Sequence, residues 1–175
     1  MAAGLSPGRF MKVILKAYRV LELLCRAGVF IAFMVLIIAV LTQVLGRAIG
    51  DSPVWTEELT RFALIYMTAL GVGLGLMSGD LVNVDIVCDA LPGPWPRILN
   101  VAASLATAFL AAILLPGAWK YVQIGFLQKS PAMGLQMSFV HFSVLLLFLL
   151  LLVFAVMRAV LTLLHVEISH LKPEA

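Results

Sequence analysis

Apolar and charged positions are segregated along this chain rather than interleaved. Four runs contain no Asp, Glu, Lys or Arg: residues 27–46, 62–79, 98–119 and 130–157, of 20, 18, 22 and 28 residues. A helix rises about 1.5 Å per residue, so about 20 apolar residues cross a hydrocarbon core of about 30 Å. The second run is short, but Thr60 and the aliphatic stem of Arg61 extend it by snorkelling. The fourth is longer than a span needs. Pro131, Gly134 and Gln136 read as loop and Ser138 as an N-cap, with the span starting near Phe139. The pattern predicts an all-α integral membrane protein with one membrane domain over residues 1–175. Its four transmembrane helices fall at about 23–46, 56–78, 97–121 and 138–164.

Composition narrows the function classes. Apolar side chains make up 63% of the chain and charged ones 12%, against roughly 45–50% and about 25% in soluble proteins. That excludes a soluble enzyme, a nucleic-acid binder and a disordered tail. Charge then sets orientation through Lys and Arg in the flanks. With the N-terminus inside, Arg9, Lys12, Lys16, Arg19, Arg26, Arg97, Arg158 and Lys172 lie on the cytoplasmic side. Only Arg47, Arg61, Lys120 and Lys129 lie outside, which favours an N-in, C-in topology. The first apolar run is too long for a signal-peptide core of 7–15 residues, and 46–49 is no small-x-small cleavage site, so the first span is retained. Cys25 and Cys88 both fall near the reducing side, where no disulfide is expected. The chain shows no heptad array and no longer repeat.

The connecting segments carry most of the polar chemistry. In the first outer loop Asp51 or Ser52 can cap a helix that starts at Pro53. Glu57 and Glu58 then sit at its positive end. Arg61 comes four residues after Glu57 and three after Glu58, so either carboxylate can pair with it. Trp55 suits a headgroup-level anchor. The residues alone leave two readings: an anchored, capped helix start, or a docking surface for another subunit. Between spans two and three, Asn83 can cap a short amphipathic helix carrying Asp85 and Asp89 on one face, although residues 82–86 also alternate like a strand. This interfacial segment, about 82–92, is too short to span and lies along the membrane surface or a partner. Gly71 and Gly75 form a GxxxG in the second span, and Ala102, Ala106, Ala108 and Ala112 form small-residue tracks in the third. Residues 145–154 give the fourth span a large aliphatic face suited to lipid or a large partner.

The charge-free runs are also informative for what they lack. Ion- or anion-coupling transporters keep ionisable groups at membrane depth, where they cost about 2.5–3.5 kcal/mol on insertion scales. Here the polar remnants are Thr42, Gln43, Thr68, Ser104, Thr107, His141 and Ser143. A self-sufficient exporter is therefore not expected. His141 is the single histidine in a span, so a bis-histidine haem site lacks its second ligand. A tetraspan haem or quinone subunit stands as the alternative reading. No nucleophile–base pair, phosphate loop or metal-spaced cluster occurs, so no enzyme and no cofactor are expected.

Trp55-Thr-Glu57-Glu58-Leu-Thr-Arg61 resembles the Trp-x-Glu-Glu-x-x-Arg signature of the small membrane subunit of TRAP (tripartite ATP-independent periplasmic) transporters. The Gly71 region, Gly79-Asp80-Leu-Val-Asn-Val-Asp85 and Leu91-Pro92 resemble its glycine, hydrophobic-Asp and Leu-Pro stretch. Ser130-Pro131-Ala132 resembles its Ser-Pro-Ala motif, and Gly134-Leu-Gln-Met137 its small-aliphatic-x-Met segment. The chain departs where the family commonly has a Tyr and then a Pro, having His141 and Val144. The resemblance implies a bacterial inner-membrane subunit bracing a large multi-span permease, with a periplasmic solute-binding protein delivering a carboxylate-bearing solute. Sodium would drive uptake at sites in the large subunit. It also implies that Trp55, Glu57, Glu58, Arg61, Gly71, Gly75, Asp80 and Asp85 are interface candidates, with none of them binding substrate or metal.

Overall fold

The computed structural model describes residues 7–51, 53–78 and 95–163. Four helices account for nearly all of them: α1 (Pro7–Ile49), α2 (Trp55–Ser78), α3 (Trp95–Gly125) and α4 (Ser138–Leu163). Each holds an apolar stretch long enough to cross a bilayer: Leu15–Ile49, Trp55–Leu76, Ile98–Gly125 and Ser138–Thr162. Helix is what such sequences must form, because lipid offers no partner for a free backbone N–H or C=O. The interfacial segment at 82–92, with Asp80, Asp85 and Cys88, lies outside the described residues.

Two helices outrun their expected spans. α1 begins at Pro7, not near 23, because Leu15, Tyr18, Leu21 and Cys25 continue one helical stripe into the core. α3 continues beyond 121 to Gly125. α1 ends in a Schellman turn: Gly50, at φ +86°, lets Asp51 N–H reach the Gly46 carbonyl at 2.9 Å.

The principal packing pairs are α1 on α2, α2 on α4 and α4 on α3. α4 is thus the central helix, and Leu145, Leu150 and Phe154 are buried. Part of its aliphatic face, Leu145, Leu150 and Phe154, packs against α2 and α3, while Leu149 stays exposed. The outward surfaces of α1 and α3 are apolar, with Phe30, Ile31 and Leu41 on one and Leu105, Phe109 and Ile113 on the other.

Small residues make the close contacts, though not always those of the expected tracks. A Cβ at Gly73 would stand 3.1 Å from the Phe154 ring and 3.3 Å from Leu150, whereas one at Gly71 meets nothing within 4 Å. In α3, Ala102, Ala106 and Ala112 are exposed. The buried line is Ser104, Ala108, Ala111, Ala118, Val122 and Gly125, with Leu115 packed beside it. Those positions advance by alternating fours and threes, the spacing of a left-handed helix seam. A heptad is present after all, written in small residues rather than large ones. It ends where a Gly125 Cβ would come within 2.6 Å of the Ser138 backbone nitrogen.

Candidate functional site

The end of the layer that carries Trp55 is assembled from α1, the start of α2 and the 128–137 loop. α2 starts two residues later than expected. Pro53 stays outside it and its carbonyl accepts the Thr56 N–H at 3.2 Å and the Thr56 hydroxyl at 2.7 Å. Thr56 is fully buried by this arrangement. Trp55 is left on the surface, 44% exposed.

Glu57 faces α1. Its carboxylate accepts from Arg47 at 3.1 Å and from Gln43 Nε2 at 3.3 Å, tying the last turns of α1 to the first turn of α2. Glu58 faces the opposite way, into the loop between α3 and α4. That loop closes on itself: Ser130 N–H bonds the Leu135 carbonyl at 2.8 Å, and Gly134 takes φ +66° at the turn. The turn aims three donors at Glu58, namely the Ser130 hydroxyl and the Ala132 and Met133 N–H groups, the last two at 3.1 Å. A charged acceptor collecting several donors is a strong positional device.

Arg61 pairs with neither carboxylate. Among the described residues it makes no ion pair or hydrogen bond, and it is exposed. Both acids instead hydrogen-bond to partners more distant in sequence, although Arg61 still acts on Glu58 through its charge. Arg61 borders an open depression of about 510 Å³ with Trp55, Glu57, Glu58 and Pro131.

Below this level α4 is pinned on both sides. Tyr66 donates its hydroxyl to the Phe139 carbonyl at 2.5 Å, joining α2 to α4. His141, 5% exposed, donates from Nδ1 to the Tyr121 carbonyl at 2.9 Å, and its ring stacks on Tyr121 with centroids 3.7 Å apart. The residue that departs from the motif is therefore a packing group between α3 and α4.

At the far end, Arg158 lies inside α4. The charge-free run stops at Met157, but the helix continues to Leu163 and takes the arginine with it. It is 9% exposed and donates to the Leu76 carbonyl at 3.2 Å and to Asn100 Oδ1 at 3.3 Å. It thus joins α4 to the end of α2 and to α3. Counting Arg158 only as a topology signal missed this role. The clue available was an arginine placed within the helical continuation of the fourth span. Asp80 and Asp85 lie outside the described residues, so the structure brings together Trp55, Glu57, Glu58 and Arg61 only. Among the described residues no cluster of His, Cys, Asp or Glu could hold a metal ion.

Comparison with known proteins bears on this arrangement directly. Residues 36–165 match the family model of tripartite ATP-independent periplasmic transporters, DctQ component. The chain belongs to this family. It is a component of a TRAP transporter, not an enzyme, and a multi-pass protein of the inner membrane. A TRAP transporter small permease protein of Haemophilus influenzae is 26% identical over 135 residues, covering 77% of this chain and 79% of that one. The ectoine TRAP transporter small permease protein TeaB of Halomonas elongata is 32% identical over 98 residues, covering 54% and 51%. The isethionate TRAP transporter permease protein DctMQ of Oleidesulfovibrio alaskensis is 32% identical over 118 residues, 60% of this chain but 18% of that one. The TRAP motif residues of the Trp55 end all fall within the matched region.

Proposed function

We propose that this TRAP small permease subunit is a non-catalytic brace for a large permease subunit that takes up an organic acid. In this reading a periplasmic binding protein delivers the solute, a sodium gradient drives uptake, and both sodium and solute bind in the large subunit. The present chain then needs no cofactor. The observation that carries the reading is the use of its polar groups. Glu57, Glu58, Tyr66, His141 and Arg158 all join one helix or loop to another, which is the work of a scaffold. The DctMQ relative supports a large partner, since this chain accounts for under a fifth of its length. The relatives are named for isethionate and ectoine, which supports placing solute choice outside the small subunit. N-in, C-in orientation belongs to the same reading.

The test is reconstitution. Vesicles holding this chain alone should show no uptake, while adding the large permease and binding protein should give uptake that collapses with the sodium gradient. Flux from the small subunit alone would overturn the proposal. A periplasm-active reporter near Lys129 should be active and one at the C-terminus inactive; the reverse overturns the orientation.

A further inference from the structure

We infer that the groove between α2 and α4 seats one transmembrane helix of the large permease subunit, and that this helix supplies a carboxylate to Arg61. The inference rests on the small-subunit reading above and names the contact surface and its chemistry.

Arg61 is the starting observation. It stands six residues into α2, about 9 Å along the axis from Trp55. The neighbouring acids hydrogen-bond to Arg47 and to the 130–133 turn; Arg61 feels the charge of Glu58, but among the described residues its N–H groups make no hydrogen bond or ion pair and stay available to an anion. Leu64, Ile65 and Thr68 continue the helix face of Arg61, at three, four and seven residues beyond it. That face forms one wall of an apolar groove of about 190 Å³, and Val144 and Leu147 of α4 form the other. Thr68 spends its hydroxyl on the Leu64 carbonyl at 2.8 Å, so the groove makes no polar demand of an occupant. One turn further, Gly71 leaves open space where a side chain would stand. A glycine at that position lets a second helix approach closely.

An apolar helix fits the groove, and the guanidinium about one turn before it along α2 specifies where that helix carries its charge. Arg61 and Thr68 are about 10 Å apart along the axis. The partner's Asp or Glu should therefore lie about two turns from the side chain that fills the groove. A carboxylate there gains more than at a wet surface, because lipid and protein exclude water from the pair.

The experiment co-expresses the full chain with its large permease and measures the ratio of the two after purification in mild detergent, normalised to inserted small subunit. Arg61→Glu and Thr68→Trp should each lower recovery of the large subunit about tenfold or more. Phe109→Trp, on the exposed face of α3, should change nothing. One Asp or Glu→Lys substitution in a membrane helix of the large subunit should rescue Arg61→Glu. Full recovery with both groove variants overturns the inference while leaving the subunit reading intact. Failure of every charge swap overturns it too, and recovery by the unaltered chain that collapses when anionic phospholipid is replaced by zwitterionic lipid would assign Arg61 to a headgroup instead. If the unaltered chain recovers no large permease, it is the subunit reading that fails.

Discussion

The two ends of this four-helix layer are held together by opposite means. At the Trp55 end the polar bonds are several, and they are divided among α1, α2 and the 128–137 loop. Arg47 and Glu57 remain 64% and 45% exposed while paired. At the other end, among the described residues, the largely buried Arg158 guanidinium serves three helices, with Tyr18 near enough to feel its charge. The lesson is about surroundings rather than numbers of charges. An exposed pair competes with water and salt and contributes little. A buried donor set and its acceptors have no substitute partner, so removing one leaves the others stranded.

Arg158→Ala is accordingly expected to have the largest effect. It strands the Leu76 carbonyl and the Asn100 amide oxygen and should cost about 1–3 kcal/mol, read as a lower midpoint in SDS titration of the micellar protein. Arg158→Lys keeps the charge but not the fork, so its midpoint should fall between the two. An unchanged midpoint in Arg158→Ala would dissolve the contrast between the ends. Next comes Glu58→Ala, which releases Ser130, Ala132 and Met133 together. Its expected signature is local, with severalfold faster proteolysis of the 128–137 loop and a midpoint shift smaller than that of Arg158→Ala. Uniform global destabilisation would show that the loop is not a separate unit. Smallest is Glu57→Gln, expected to cost about 0.2–1 kcal/mol at low salt and less at high salt. A salt-independent loss would show that the pair is less exposed to solvent than its neighbours.

Much of the architecture was legible because it is written in long runs. Four charge-free stretches locate four helices, since a bilayer demands a minimum apolar length and nothing subtler. The Trp55–Arg61 motif was legible as a unit, but its internal bonds were not. Spacing along a helix reveals only neighbours three and four residues away, whereas Glu57 reaches back to Arg47 and Glu58 reaches forward to Ser130. Tyr66 and Arg158 were missed for a related reason: both bond backbone carbonyls, and a carbonyl carries no residue identity to search for. The α3 seam was hidden by its medium. In a soluble helix apolar positions mark the buried face, but here both faces are apolar and the buried one is distinguished by smallness. For the same reason Gly73, the non-matching glycine within the GxxxG, turned out to be the one against Phe154.

α1 has no proline after its first residue and runs unbroken for 43 residues, about 65 Å. Arg47 near one end is clasped to α2, and Tyr18 and Cys25 near the other are sunk among the ends of α2 and α4. These two anchorages are about 40 Å apart on one rod with no hinge between them. In mechanical terms α1 is a strut: a push on the connection between α1 and α2 is delivered to the basic half of the helix instead of being absorbed on the way. A helix this long with no hinge lends stiffness to the layer, and α1 is where that stiffness resides.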